Sequence, residues 1–483
     1  MSVAMEDAEL ARLLYALNAR LDLPKKQRSA MLTDFRMAAE RLTRDGLAPR
    51  EASERLDPAR LGEFYLRRPD RWYPLDDAAK IYPMSMTDGW MSVFRLSAYL
   101  DGEVEPELLQ AALHFTLPRF PFFATRVRRG LFWHYIEAVN RRFEVSPETE
   151  LPCAPMDISG GGSQAFRVMY YKNRVSVEFF HILTDGTGGL RFLTALVTEY
   201  LRLRGDIRQT PVPQEAEPDG EESENAFKRF AAECGQAQGG FAGRPAVRLR
   251  GKQAKQRPAR ILHFCLDAGE LKKAARERQA SVTALILAFM TEAAHAASDE
   301  SRGDIRIQVP VNMRKFCPSK TLRNFSMYCA VSTPWQEAGR AGDILPQISA
   351  QLRENASEGA MRAMLAQTAA TVRALGGVPL LIKRPAARFA YGLLGERAFT
   401  STLSNLGRAE LPPETAKHVE ALDFVLGTGE QSRAACALVT LGERATLTIT
   451  KLTEDPAFET RLLELLEAAG LSVELSGSMV YGA

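Results

Sequence analysis

From about Trp72 onward the chain alternates strand-like and helix-like segments, and it does so twice, on either side of an interruption at residues 206–260. A repeat of this kind leaves few architectures open. Each strand buries one face and each amphipathic helix covers a sheet, so the result is layered α/β or α+β. In the first half, VFRLSAYLDG reads as a strand and EPELLQAALHFTLPRF as a helix with Leu108, Ala112 and Phe115 on one face. FFATRVRRG and LFWHYIEAV form a hairpin turning at Arg129-Gly130, and AFRVMYY and VSVEFFH a second, turning at Lys172-Asn173-Arg174. Side chains alternate along a strand, which puts Val175, Val177, Phe179 and His181 on one face. Leu190, Leu193, Val197 and Leu201 continue as a helix. In the second half, ILHFCL, SVTALILAFMTEAAHA and DIRIQVPVN repeat strand, helix, strand. ALVTL, ATLTIT, a helix near ETRLLELLEAAG and LSVEL close the chain.

The interruption begins with the acidic, Pro- and Gly-containing TPVPQEAEPDGEESEN and ends with the basic GKQAKQRPAR, which marks a long crossover. The predicted organisation is a helical module over 1–70, a first half over 71–205, the crossover over 206–260 and a second half over 261–483. Three short helices make up the module. Leu10, Leu13, Leu17 and Leu21 mark the first, Met31, Leu32, Phe35, Ala39 and Leu42 the second, and Ala52 and Leu56 the third, with Pro24, Gly46 and Pro49 as punctuation. It reads either as an extension packed on the body or as a dock for a protein partner. A cleft between the two halves is the natural ligand site.

Composition removes several classes. Lys and Arg number 62 against 59 Asp and Glu, and no basic run alternates with aromatics, so nucleic acid is not the expected partner. The opening MSVAMEDAELARL lacks the basic-then-apolar profile of a signal peptide, and the apolar run Leu285–Met290 is far too short to span a bilayer. Cys153, Cys234, Cys265, Cys317, Cys329 and Cys436 form no C-x-x-C pair, which suggests reduced thiols and a cytoplasmic address. His114, His134, His263, His295 and His418 show no metal-ligand spacing. Gly160-Gly161-Gly162 lacks the lysine of a phosphate loop. No G-x-S-x-G nucleophile is present, so a covalent acyl-enzyme is not expected.

The segment with most chemistry is FFHILTDGTGG, in which His181, Asp185 and Gly186 follow the pattern H-x-x-x-D-G. The histidine falls at a strand end, and Asp185-Gly186 in the turn before a helix. An imidazole titrates near 6.5 and, as a general base, contributes roughly 10²–10⁴ in rate, which suits removing a proton from a hydroxyl that attacks a thioester. The alternative is a buried structural histidine. An aspartate four residues on can fix the loop, and Gly186 permits a sharp turn.

This motif resembles that of chloramphenicol acetyltransferases, peptide-synthetase condensation domains and plant BAHD acyltransferases. Condensation domains often carry a second histidine directly before it, where this chain has Phe180. VEPELLQAALHFTLPRFPFFATRVR is similar to the early helix and R-H-x-x-L-R-T strand of condensation domains, with Arg119 and Thr125 retained and Ala124 in place of an arginine. VPVNMRK resembles the BAHD V-N-x-R segment, and Arg323-Asn324-Phe325 their G-N-x stretch. TLSNLGRAELPPE, WYPLDDAAKIYP and RRGLFWHYIE look like the bacterial alcohol O-acetyltransferase branch. The resemblance covers about Trp72 to the C-terminus. It implies two sandwich halves with a tunnel between them and direct transfer of an acyl group, acetyl above all, from coenzyme A to an alcohol.

On that resemblance Arg314 pairs with Asp185, and Asn324 supports the site or merely caps a turn. Ser404 and Asn405, read as a Ser-Asn-Leu-Gly turn, either donate hydrogen bonds to the oxyanion or serve geometry alone. Acyl-CoA enters as co-substrate, with no bound cofactor and no metal, and a small alcohol or amine is the acceptor. Two other readings stay open: a carrier-protein thioester as donor, and a non-catalytic binding or scaffold protein.

Overall fold

The computed structural model describes residues 2–67, 71–86, 91–158, 163–207, 220–233, 245–255, 258–390, 396–427 and 433–476. Cys234 and the Gly160–Gly162 run lie outside them. Among the described residues, two large sheets carry the body. The first has five strands in the order Val419–Leu426, Val93–Leu100, Arg174–Phe180, Phe166–Tyr171, Val145–Pro147. The second has seven, in the order Ser326–Pro334, Asp304–Asn312, Ser401–Arg408, Ala434–Leu441, Arg444–Lys451, Arg260–Asp267, Glu474–Ser476. A three-stranded ribbon, Trp72–Pro74, His134–Ala138 and Thr125–Arg129, stands apart from both. Each large sheet has its own apolar core with helices packed on it, so the two α/β halves expected from the repeat are present.

One strand departs from its position in the chain. Val419–Leu426 falls in the segment 261–483, yet it pairs antiparallel with Val93–Leu100 of the first half, Leu422 opposite Ala98. An unpaired sheet edge costs its backbone hydrogen bonds, and the strand that fills it need not be sequence-local. It ties the halves together.

The amino-terminal helices Ser2–Asn18, Lys25–Arg44 and Pro49–Arg55 follow the predicted spacing. Their apolar stripe, with Leu17, Met31, Phe35 and Leu42, belongs to the same continuous core as the first sheet. Phe35 stacks on His114 at 5.7 Å, and Asp34 accepts from His114 at 2.8 Å and from Arg142 at 2.6 and 2.9 Å. The stripe is therefore occupied within the chain, and its inward face is not open to a partner.

The central strand Arg174–Phe180 is buried on both faces rather than one. Phe179 enters an aromatic cluster with Phe94, Phe123, Phe166 and Phe192. On the other face Glu178 is fully buried between Arg95 and Arg167, at 2.7 and 2.6 Å. A buried carboxylate of this kind persists only because guanidinium groups replace the water it lost.

Candidate functional site

His181 begins the turn that leaves this central strand, and its own backbone N–H donates to the Ser92 carbonyl at 2.8 Å. Four residues further on, Asp185 caps the helix Gly186–Arg204, accepting from the N–H groups of Thr187 and Gly188 through one carboxylate oxygen, both at 3.1 Å. The other oxygen accepts from Arg314 Nη1 at 2.7 Å and from the Phe325 N–H at 2.8 Å. Four donors, the imidazole not among them, saturate the carboxylate. Its part in the arrangement is to join the halves, since Arg314 follows the strand Asp304–Asn312.

Arg314 Nη1 also reaches Asn312 Oδ1 at 3.2 Å, and its other nitrogens donate to main-chain oxygens, the Thr321 carbonyl at 2.7 and 3.0 Å and the Arg323 carbonyl at 2.8 Å. This shapes the loop 321–325 and presents Asn324 to the histidine. Asn324 Nδ2 lies 2.9 Å from the His181 carbonyl oxygen and 3.0 Å from its Nδ1. Its Oδ1 accepts from the Ser326 hydroxyl at 2.9 Å, which fixes the amide's orientation. Thr184 Oγ1 donates to the Leu322 carbonyl at 2.6 Å, and Arg323 Nε pairs with the buried Asp76 at 3.0 Å. Burial first, opposed by Arg323, pushes Asp76 up to about 6. The crossover contributes as well: Thr321 Oγ1 donates to the Glu224 carbonyl at 2.8 Å, and Glu222 accepts from Arg119 at 2.6 and 2.8 Å.

The imidazole itself is enclosed by rings but retains partial exposure. Tyr82 stacks on it with centroids 5.1 Å apart and planes 20° from parallel, and Phe94 presents an edge at 5.1 Å. This apolar surround holds the His181 pKa below its ordinary value, while Asp185 and a hydrogen bond to the residue's own main-chain oxygen oppose the shift. The Tyr82 hydroxyl, hydrogen-bonded to Asn324, is pushed up to about 12 by burial and stays protonated. Tyr82 and Asp76 both lie within WYPLDDAAKIYP, yet nothing in their spacing singled them out.

The segment around Ser404 is strand, not turn. It lies inside Ser401–Arg408, parallel to Ala434–Leu441, with a register shift between Asn405 and Gly407. The Asn and Gly that suggested a turn serve this bulge, where Gly407 adopts φ +74° and its N–H donates to Asn405 Oδ1 at 2.8 Å. Asn405 Nδ2 donates to Thr283 Oγ1 at 3.0 Å, an attachment within the second half. Ser404 is buried and hydrogen-bonds to no described side chain. Leu406 abuts the motif: a Cβ on Gly186 would lie 2.5 Å from Leu406 Cδ2.

Gly188 is more tightly placed than Gly186. A Cβ there would lie 2.2 Å from Thr184 Oγ1 and 2.3 Å from the Leu322 main-chain oxygen. Gly188→Ala is accordingly expected to destabilise by about 1–3 kcal/mol, since backbone must move. Gly186→Ala should cost less, because the end of a leucine can swing aside. Urea unfolding of the two variants checks the order.

No protein-family model matches the sequence, and no curated protein matches it. Solved structures do share its shape. Trichothecene 15-O-acetyltransferase from Fusarium sporotrichioides is 13% identical with a TM-score of 0.54, over 82% of this chain and 95% of that one. Polyketide synthase associated protein 5 from Mycobacterium tuberculosis is 13% identical with a TM-score of 0.52, over 82% and 98%. A mutant of the starter condensation domain of rhizomide synthetase, in complex with C8-CoA and Leu-SNAC, is 12% identical with a TM-score of 0.51, over 82% and 93%. The likeness is one of fold: the chain has the architecture of condensation domains and the acetyltransferases built like them.

Proposed function

We propose that the protein is an acyltransferase that moves an acyl group, acetyl in the first instance, from coenzyme A to an alcohol hydroxyl, with His181 as general base. The observation that carries this is one neutral-leaning imidazole held where the two halves meet, its residue fixed by Asn324 from the second half. With the Nδ1 proton donated to the residue's own carbonyl oxygen, the Asn324 amide donates to that same oxygen and not to the ring, and Nε2 keeps a lone pair. That nitrogen takes the hydroxyl proton as the oxygen attacks the thioester carbonyl. The tetrahedral oxyanion then collapses, the C–S bond breaks, and the leaving thiolate recovers the proton from the imidazolium. Ester and free thiol are the products.

Ser404 is assigned as an oxyanion donor, because it is buried, uncommitted among the described side chains and two residues from the Leu406 contact with the motif. One such donor is worth about 10²–10³ in rate. Asn405, engaged with Thr283 and Gly407, holds the strand in place. A channel open to both faces, with His181 near its middle, belongs to this proposal, since a bulky coenzyme and an unrelated acceptor must both reach one ring. The complex of the starter condensation domain with C8-CoA supports a thioester donor in this fold.

The test is release of free thiol from several acyl-CoAs against a panel of alcohols and amines. Turnover with carrier-bound thioesters alone would replace coenzyme A as donor, and ligand binding without turnover would replace catalysis by recruitment. The pH dependence carries a sign. A base with a lowered pKa is lost only when the pH falls through that lowered value, so the acid limb of kcat/KM should lie below about 6.5. A limb centred above 7 contradicts the assignment.

A further inference from the structure

Most exposed large apolar side chains of the described residues are scattered, but five gather at one place. Leu131 and Phe132 at the tip of the Thr125–Ala138 hairpin are 69% and 40% exposed, Leu381 and Ile382 on the helix Leu380–Ala390 are 74% and 65%, and Ile81 is 44%. The tip and the helix are joined directly, the Leu380 N–H donating to the Leu131 carbonyl at 2.8 Å. Helix Leu380–Ala390 packs in turn on the short helix Tyr82–Ser85.

Basic residues dominate the helix: Leu380–Ala390 carries Lys383, Arg384 and Arg388 and no Asp or Glu, in a chain whose totals nearly balance. Lys383 itself is buried, its Nζ donating to the Leu375 carbonyl at 3.0 Å. Lys383 Nζ lies 3.2 Å from the Trp133 ring centroid, and Lys80 Nζ covers the same ring at 5.4 Å. Burial first, then Arg384 and Arg129, push the neighbouring His134 down to about 4. The nearby carboxylates are already answered: Asp77 pairs with Lys80 at 2.6 Å, and Glu137 with both Arg126 and Arg128 at 2.8 and 2.7 Å.

We propose that Leu131, Phe132, Leu381 and Ile382, framed by Arg129 and Arg384, form a docking surface for an anionic lipid bilayer, and that the acyl acceptor is a lipophilic alcohol drawn from it. Aliphatic tips in a cationic frame match the layering of a bilayer surface, where acyl chains lie beneath anionic headgroups. An acidic protein would pair the cations but leave Leu381 and Ile382 in water. Position gives the surface its use. Ile81 belongs to it, and the next residue, Tyr82, stacks on His181. The bilayer face and the candidate base thus lie on two sides of one helical turn. Docking does not depend on the acyl-transfer reading; the nature of the acceptor does.

Co-sedimentation of the full chain with vesicles tests the docking. Binding to phosphatidylcholine mixed with phosphatidylglycerol should exceed binding to phosphatidylcholine alone by at least about tenfold and fall with salt. Arg129→Gln and Arg384→Gln should each weaken it by roughly fivefold. The pair Leu381→Glu and Ile382→Glu should abolish it while circular dichroism and gel filtration stay those of the parent. The same pair should turn over a water-soluble alcohol at the parental rate but lose a long-chain alcohol supplied in vesicles. Equal binding to neutral and anionic vesicles, binding untouched by the substitutions, or capture by an acidic carrier protein or a second copy of the chain in place of vesicles each overturns it. Parental turnover of the vesicle-borne alcohol by the doubly substituted chain sinks the acceptor assignment alone.

Discussion

Replacing His181 by alanine is expected to lower single-turnover acyl transfer by about 10²–10⁴, the range a positioned general base supplies, with the fold intact. The fold should survive because the ring is supported on its edges and not itself a support. Tyr82 stacks on one side, Phe94 meets it with an edge, and Asn324 Nδ2 lies 3.0 Å from its Nδ1. Asn324 keeps its bond to the His181 carbonyl oxygen, which every residue at that position retains. Circular dichroism and thermal melting should therefore match the parent closely. Activity within threefold of the parent removes His181 as base and favours a binding protein. Asn324→Asp offers a second readout. A carboxylate at this distance favours the imidazolium, so the acid limb should move up in pH while the protein still turns over at alkaline pH.

Asp185→Ala is expected to cost stability first and activity as a consequence, by about 3–5 kcal/mol of unfolding free energy. The carboxylate is 5% exposed and answers four donors, one of them the Arg314 guanidinium. Its loss strands a buried cation and two helix-capping N–H groups together. Arg314→Met should fall in the same range, because it releases the loop 321–325 as well as leaving the carboxylate unpaired. The double variant should then cost clearly less than the two single costs added, the signature of residues sharing one interaction. Urea unfolding of the parent, both single variants and the pair decides it. Additive costs mean that the contact contributes nothing of its own, and an Asp185→Ala chain of parental stability but no activity would give the aspartate a chemical role the geometry does not.

How much of this was legible beforehand differs from residue to residue. The hairpins and the helix after the motif could be read, because each follows from local periodicity, whereas the pairing of Asp185 with Arg314 was implied by the family resemblance of VPVNMRK. Two features could not. Ser404 and Asn405 were expected in a turn, since Asn and Gly favour turns in isolation; a parallel neighbour strand turned the same residues into a bulge. Asp76 and Tyr82 gave no signal, because an aspartate and a tyrosine in a loop look alike whether they face water or a buried partner such as Arg323 or the His181 ring.

Local patterning specified the two α/β halves, the amino-terminal helices and a histidine placed at a strand end ahead of a capped helix. These rest on interactions between residues a few positions apart, and side-chain periodicity records such interactions directly. Long-range packing set which residues from the second half reach that histidine, how Val419–Leu426 completes the first sheet, and that Leu131 at the hairpin tip meets the helix Leu380–Ala390. Those contacts join residues more than a hundred positions apart, and nothing in the spacing of side chains along the chain encodes a meeting that depends on how the two sheets pack.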